Sequence, residues 1–307
     1  MSKYHIPVLL NESVSMLNIR DEGIYVDATF GGGGHSLAIL NSNPTVRLVA
    51  FDQDKDAIEK NSSLFLEHSE RFALINDNFA NLRTHLALRK IKQIDGIIFD
   101  LGISNYQIRT GERGFSFGAD GSLDMRMNRE NDTTAYEIVN FYSLEELHRI
   151  FRDYGEEKES LRVAKRIVKV RNISPITSTD ELASIVERSV SSPMKVKAKA
   201  RIFQALRIYV NRELEILEEG LTSAVEVLAP LGRLVVISYH SLEDRIVKEL
   251  MNFEAKECLC PPKFPMCVCE KEARLKIITK KPIVASENEC SENKQARSAK
   301  MRVAEKL

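Results

Sequence analysis

Residues 27–35 read Asp-Ala-Thr-Phe-Gly-Gly-Gly-Gly-His, a run of four glycines between a β-rich stretch and a helical one. A turn without Cβ atoms lets a ligand touch the backbone, and dinucleotide folds seat their cofactor at this point. Their fingerprint needs glycine at the first, third and sixth positions. Counted from Gly31 the sixth residue is Ser36, and counted from Gly32 it is Leu37, so the nicotinamide or flavin reading loses its main support. Asp27, Asp52, Asp77 and Asp100 each fall at or just past the end of a β-rich run. Four carboxylates would repel a pyrophosphate, whereas a cofactor with a sulfonium, an ammonium and a ribose diol suits an acidic rim. The pattern points to S-adenosyl-L-methionine, with Gly33, Gly34 and His35 at the turn and Asp52 on the ribose. The competing structural readings are close packing for the glycines, a helix start for Asp54 and core for Phe79.

These residues need a frame to hold them. Candidate strands at 23–28, 47–52, 72–76 and 94–100 alternate with helical stretches at 34–40, 55–68 and 80–90. That order predicts an α/β fold with a parallel, doubly wound sheet. The run "IDGIIFD" is apolar on both faces, as a central parallel strand should be. Residues 102–132 read as a long ordered loop. Helices follow at 144–154, 156–170 and 180–190, with Ser143 and Thr179 as N-caps, and then a longer helix at 200–228. The sheet resumes with "GRLVVIS" at 232–238, so the middle of the chain is an inserted helical lobe. The tail, 277–307, offers one short strand and a basic, loop-like end.

Length and composition are those of an ordinary globular chain: 307 residues, 43% hydrophobic and 29% charged, which argues against disorder or a fibrous architecture. No apolar run approaches the roughly 20 residues that span a bilayer. Residues 1–11 lack a secretory signal pattern, and a cytoplasmic protein without membrane contacts is expected. The formal net charge of +0 hides a basic segment. Residues 158–212 hold thirteen basic side chains against four acidic ones, with Lys195, Lys197, Lys199, Arg201 and Arg207 the densest group. Such a local field suits a polyanion. Cys258, Cys260, Cys267 and Cys269 form C-x-C-x6-C-x-C. Four thiolates could bind zinc, but structural sites more often use C-x2-C, so reduced loop thiols are the preferred reading and no metal is assigned.

With these residues in view the chain resembles the MraW family, the ribosomal RNA small subunit methyltransferases H, nearly end to end. The motifs are "HIPVLLNE" from His5, "DATFGGGGHS" from Asp27, "FDQD" from Phe51 and "DGIIFDLGIS" from Asp95. Later come "RGFSF" from Arg113, "LDMRM" from Leu123, "YGEE" from Tyr154, "RIFQALRIYVNREL" from Arg201 and "LVVISYHSLEDRIVK" from Leu234. The resemblance implies a class I S-adenosylmethionine-dependent methyltransferase, Rossmann-like, with an inserted helical domain. Its implied parts are 1–107 and 206–307 for the methyltransferase domain and 108–205 for substrate recognition. It also implies methylation of the exocyclic N4 of a cytidine in the decoding region of 16S rRNA within the small ribosomal subunit; a homodimer is kept among the expected assemblies. Cofactor contacts carried over are Gly33, Gly34, His35, Asp52, Phe79, Asp100 and Gln107. Asp100 is also the leading catalytic candidate, since a carboxylate accepting the amine N–H would concentrate electron density on N4. The prolines and aromatic that often follow such an acid are absent, for the run is Asp100-Leu101-Gly102-Ile103. Phe115, Phe117 or Tyr239 could supply the aromatic, and His240 a phosphate contact or proton acceptor, although structural roles compete for each.

Overall fold

The structure, a computed structural model, describes residues 7–103, 111–191, 193–261 and 268–307. Gln107 and Cys267 lie outside these. The chain divides into two compact units, Met1–Gly102 with Leu214–Leu307, and Ile103–Glu213.

In the first unit the β-rich runs become β1 (Ile24–Asp27), β2 (Arg47–Asp52), β3 (Phe72–Asn76), β4 (Ile94–Asp100) and β5 (Leu228–Ser238). β6 (Leu275–Ile277) and β7 (Lys300–Lys306) complete a seven-stranded sheet of order β3-β2-β1-β4-β5-β7-β6. The first five strands are parallel, while β7 runs antiparallel to both β5 and β6. Alternation along each strand feeds two apolar layers. Val26, Val49, Ile97, Phe99, Leu234 and Val236 join one, and Tyr25, Leu48, Ala50, Ile98, Val235 and Ile237 the other.

Several sequence expectations shift. The tail is not loop-like at its end: β7 alternates Met301 and Val303 into one layer and Ala304 into the other. Its lysines and arginine mask that pattern in the sequence. The expected helix at 55–68 is an α-helix, Lys55–Asn61, followed by a 3₁₀ segment, Ser62–His68. Asn61 sits at the joint and turns its side chain back to the carbonyls of Ala57 and Gly31, at 2.9 and 3.1 Å. Such local bonds compete with helix continuation.

The second unit has its own core, in which Leu123, Met125, Ile138, Phe151 and Ile167 are among the buried residues. Arg113 is buried there and donates to the carbonyls of Arg126 and Met127, fixing the described part of the long loop. Its helices include Leu144–Asp153, Ser160–Arg171, Thr179–Ser189 and Lys195–Asn211. Ser143 is an N-cap as expected, whereas Ser178 rather than Thr179 caps the later helix, because Glu181 stands three residues on and closes the capping box. The long helix expected at 200–228 is two, Lys195–Asn211 and Glu213–Val227. Asn211 accepts from the Met127 amide at 2.7 Å and donates to the Met125 carbonyl at 2.8 Å, and Arg212 then takes a left-handed conformation, φ 50°. The unit limits therefore differ from 107 and 205: Ala205, Leu206 and Val210 belong to the helical core, which carries that unit on to Glu213. Among the described residues no helix is long and apolar enough to cross a membrane.

Candidate active site

The sheet order reverses between β1 and β4, since β2 lies beyond one and β5 beyond the other. Open α/β sheets bind ligands outside the carboxyl ends of their strands at such a switch. Asp27, Asp52 and Asp100 are the last residues of β1, β2 and β4.

They do not share one role. Asp27 is 1% exposed and accepts from the Ser36 hydroxyl at 2.6 Å and the Thr29 amide at 3.0 Å. Burial pushes its carboxyl up from the ordinary range, against the pull of those bonds and of His35. It braces the turn from beneath instead of lining a rim. Asp77 is also committed: it accepts from His85 at 2.7 Å and from Asn81 and the Asn78 amide. Partial burial acts to raise its pKa, and the His85 bond with the others outweighs it and holds it low. The four-acid rim is thus reduced to Asp52 and Asp100, both half-buried.

Asp52 receives the Gly31 amide on Oδ2 and the Asp54 amide on Oδ1, each at 2.8 Å. Each carboxylate oxygen has a second lone pair, so two ribose hydroxyls can still be accepted. Burial pushes this carboxyl up to about 7 despite the two amides. The glycine turn is compact: Gly33 has φ 74°, and a Cβ there would lie 2.8 Å from the Phe65 ring. A Cβ on Gly34 would lie 2.1 Å from Pro7. These glycines satisfy packing as well as backbone access. The helix Gly34–Ser42 starts from them and points its positive end at the crevice side of the turn.

His35 is 5% exposed, with Nε2 3.2 Å from the Val8 carbonyl and Nδ1 3.5 Å from Asp100 Oδ2. Burial holds its pKa down. The side chain lies against Asp100 and the Val8 carbonyl. Asp100 is pinned further by its own amide, which donates to Thr29 Oγ1 at 2.7 Å, and by the Tyr239 hydroxyl, which donates to Oδ1 at 2.6 Å. Burial, then the Asp100 charge, raises the Tyr239 pKa well above the ordinary phenol value, so the hydroxyl keeps its proton. Its ring lies beside Gly102, where a Cβ would approach to 3.1 Å. Tyr239 therefore supplies an aromatic at the Asp100 strand end. Phe115 is buried in the helical core, and Phe117 packs edge-on against Phe203 at 5.6 Å. His240 is used as the N-cap of the helix Ser241–Glu254, its ring accepting from the Glu243 amide at 3.4 Å.

Phe79 stands edge-on to Phe99 at 5.3 Å and remains half-buried, with room provided by Gly220, where a Cβ would lie 2.4 Å from its ring. Asn78 ties this corner to the "FDQD" loop through Gln53 at 2.9 Å. Thr29, Ser36, Val8 and Gly220 carry no chemical signal in the sequence, because their roles are hydrogen bonds and close approaches across strands. The donor set has the chemistry to suit S-adenosylmethionine: half-buried carboxylates at Asp52 and Asp100 for a diol and a cation, an apolar ring at Phe79 and amides at a helix start.

In the helical unit four of the five densest basic residues meet carboxylates, whereas Lys197 is exposed and has no carboxylate partner among the described residues. Lys195 and Lys199 meet Glu187 at 3.6 and 3.0 Å, Arg201 meets Glu157 at 3.4 Å and Arg207 meets Glu213 at 2.9 Å. A groove lined by Arg162, Lys165, Arg166, Lys169, Arg188 and Ser189 is different. Lys165, Arg166, Lys169 and Arg188 are exposed and have no carboxylate partner among the described residues.

Residues 2–307 match the MraW methylase family. The chain is 50% identical over 307 residues to a protein of Carboxydothermus hydrogenoformans named ribosomal RNA small subunit methyltransferase H, covering 99% of this chain and 98% of that one. A protein of the same name from Caldicellulosiruptor saccharolyticus is 48% identical over 305 residues, covering 99% of each. One from Clostridium botulinum is 47% identical over 306 residues, again with 99% of each covered. Similarity that runs through both units, together with a strand order and strand-end acids suited to S-adenosylmethionine, establishes that the chain belongs to the MraW methylase family.

Proposed function

We propose that the chain transfers a methyl group from S-adenosylmethionine to the exocyclic N4 of a cytidine in the decoding region of 16S rRNA, acting on the small ribosomal subunit in the cytoplasm. The observation that carries this reading is the Asp100 carboxylate, held between the Tyr239 hydroxyl and His35 at the switch point of the sheet. Bound S-adenosylmethionine supplies an electrophilic methyl group on a sulfonium. Asp52 takes the ribose diol, Phe79 the adenine, and the amides opening the helix Gly34–Ser42 the methionine carboxylate. Asp100 accepts one N–H of the target amine and orients its lone pair along the displacement line, since positioning supplies most of the acceleration in such a step. An amine delocalised into the ring gains nucleophilicity as that N–H is drawn off, and the departing proton leaves toward Asp100 Oδ2. Tyr239, fixed by Asp100 and Gly102, shields the acid and offers a ring edge where an Asp-Pro-Pro-aromatic sequence would place one. The cytidine must leave its stack to reach this point, and the unpaired cations of the groove around Lys165 and Arg188 support phosphate contacts to the rRNA.

Small subunits that lack the modification, incubated with methyl-labelled cofactor, should become labelled on one cytidine amino group, as read by mass mapping of nuclease fragments. Label on a ring carbon, a ribose or another base would overturn the substrate. Asp100→Asn should slow single-turnover methylation by about 10²-fold or more and weaken calorimetric cofactor affinity by a smaller factor. An unchanged turnover removes Asp100 from the chemistry.

A further inference from the structure

The sequence favours reduced thiols at Cys258, Cys260 and Cys269, and the geometry points elsewhere: we propose that these three cysteines form a thiolate site for a zinc-class divalent metal ion. The three sulfurs lie within 4.8 Å of one another. Cys258 and Cys269 are 3.8 Å apart, sulfur to sulfur. A disulfide needs about 2.05 Å. Tetrahedral coordination with metal–sulfur bonds of about 2.3 Å puts adjacent sulfurs about 3.8 Å apart. The tight C-x-C spacing is therefore no obstacle, because Cys258 and Cys260 already turn their sulfurs to one point.

Backbone amides converge on the same atoms. Leu259 donates to Cys269 Sγ at 3.2 Å, Cys260 to Cys258 Sγ at 3.3 Å and Val268 to Cys260 Sγ at 3.4 Å. An N–H aimed at sulfur stabilises the thiolate over the thiol, and thiolate is the ligating form. All three sulfurs receive one. No disulfide joins the described cysteines.

The surroundings give the metal a purpose. The segment leaves the helix Ser241–Glu254 and returns at Arg274, whose amide donates to the Glu254 carbonyl at 2.8 Å and whose guanidinium, with Lys271, grips the Glu254 carboxylate. Beyond that clamp, among the described residues of the segment, Leu259 is 45% and Val268 66% exposed. Ordering a loop costs about 1–2 kcal/mol per residue in backbone entropy. A metal joining three points of the chain offsets that cost. Soft thiolates select zinc over the hard cations. The three sulfurs take three corners of the tetrahedron, and a donor outside the trio takes the fourth.

Full-length protein purified with a thiol reductant and without chelator should carry about one zinc per chain by plasma mass spectrometry. Cobalt added after zinc removal should produce a thiolate-to-cobalt charge-transfer band. Cys258→Ser and Cys269→Ser should each lose the zinc and that band, while Cys290→Ser, at a half-buried cysteine elsewhere, keeps both. Circular dichroism and calorimetric S-adenosylmethionine binding keep the test sound, since a peripheral site can be emptied with the sheet unit intact. Chelation should also speed proteolytic cleavage between Glu254 and Arg274. The proposal fails if the protein binds neither metal, if both serine variants keep their zinc, or if non-reducing mass analysis finds Cys258 bonded to Cys269.

Discussion

Burial sets Asp52 apart from an ordinary carboxylate. Its carboxyl is pushed up to about 7, above the unfolded value of 3.8. Stability drawn from the protonated form is fully present below about pH 4 and is lost as pH rises through about 7. With the proposed diol contact, cofactor binding should have the opposite dependence, because charge-assisted bonds to ribose hydroxyls need the ionised acid. S-adenosylmethionine should bind about tenfold more tightly at pH 8 than at pH 6, with proton release below pH 7. Asp52→Asn should bind more weakly and show a flat profile. Titration calorimetry in buffers of differing ionisation enthalpy reads both, and a flat profile for the unsubstituted protein would remove Asp52 from the diol contact. At this scale the sequence is informative about which acids end strands and silent about which are spent. Asp27 and Asp77 look like Asp52 in one dimension; only the hydroxyl of Ser36 and the ring of His85, folded onto them, separate the roles.

The helix Glu213–Val227 shapes the site through one missing side chain. Gly220→Ala should gain about 0.5–1 kcal/mol in helix propensity. The added methyl lies 2.4 Å from the Phe79 ring, and overpacking costs about 1–3 kcal/mol. The larger effect wins. Thermal melting should fall by about 2–6 °C, or Phe79 moves aside and spares the melt. Both outcomes displace the ring, so cofactor affinity drops in either case. An unaltered dissociation constant would break the link between Phe79 and the adenine. Elements with strong local signals were legible: "IDGIIFD" is β4, and Ser143 with Glu146 opens a helix. Elements set by remote partners were not. The break at Arg212 follows from Asn211 reaching residues 84 and 86 positions away, and β7 is a strand because β5 and β6 flank it.

Across the molecule a neutral total charge conceals a divided surface. In the helical unit Lys195 and Lys199 share the carboxylate of Glu187, which offsets part of their charge, whereas the groove of Lys165, Arg166, Lys169 and Arg188 keeps its charge. Binding to rRNA releases counterions in proportion to the phosphates neutralised. Lys165→Ala with Lys169→Ala should flatten the slope of log affinity against log salt by about 1.4–1.8. Lys195→Ala with Lys199→Ala should change it by less than half as much. Equal effects, measured by filter binding across a salt series, would return the contact to the group that looks densest in the sequence. By itself the sequence determined the α/β class, the inserted helical lobe, the glycine turn and the family, since periodicity and contiguous motifs are local properties. The tertiary structure alone decided which strand-end acids are spent on internal partners, that Tyr239 stands at Asp100, which cations lack a carboxylate partner among the described residues, and that three cysteines converge. Each of those depends on distances between residues far apart in the chain, and such distances exist only after it has folded.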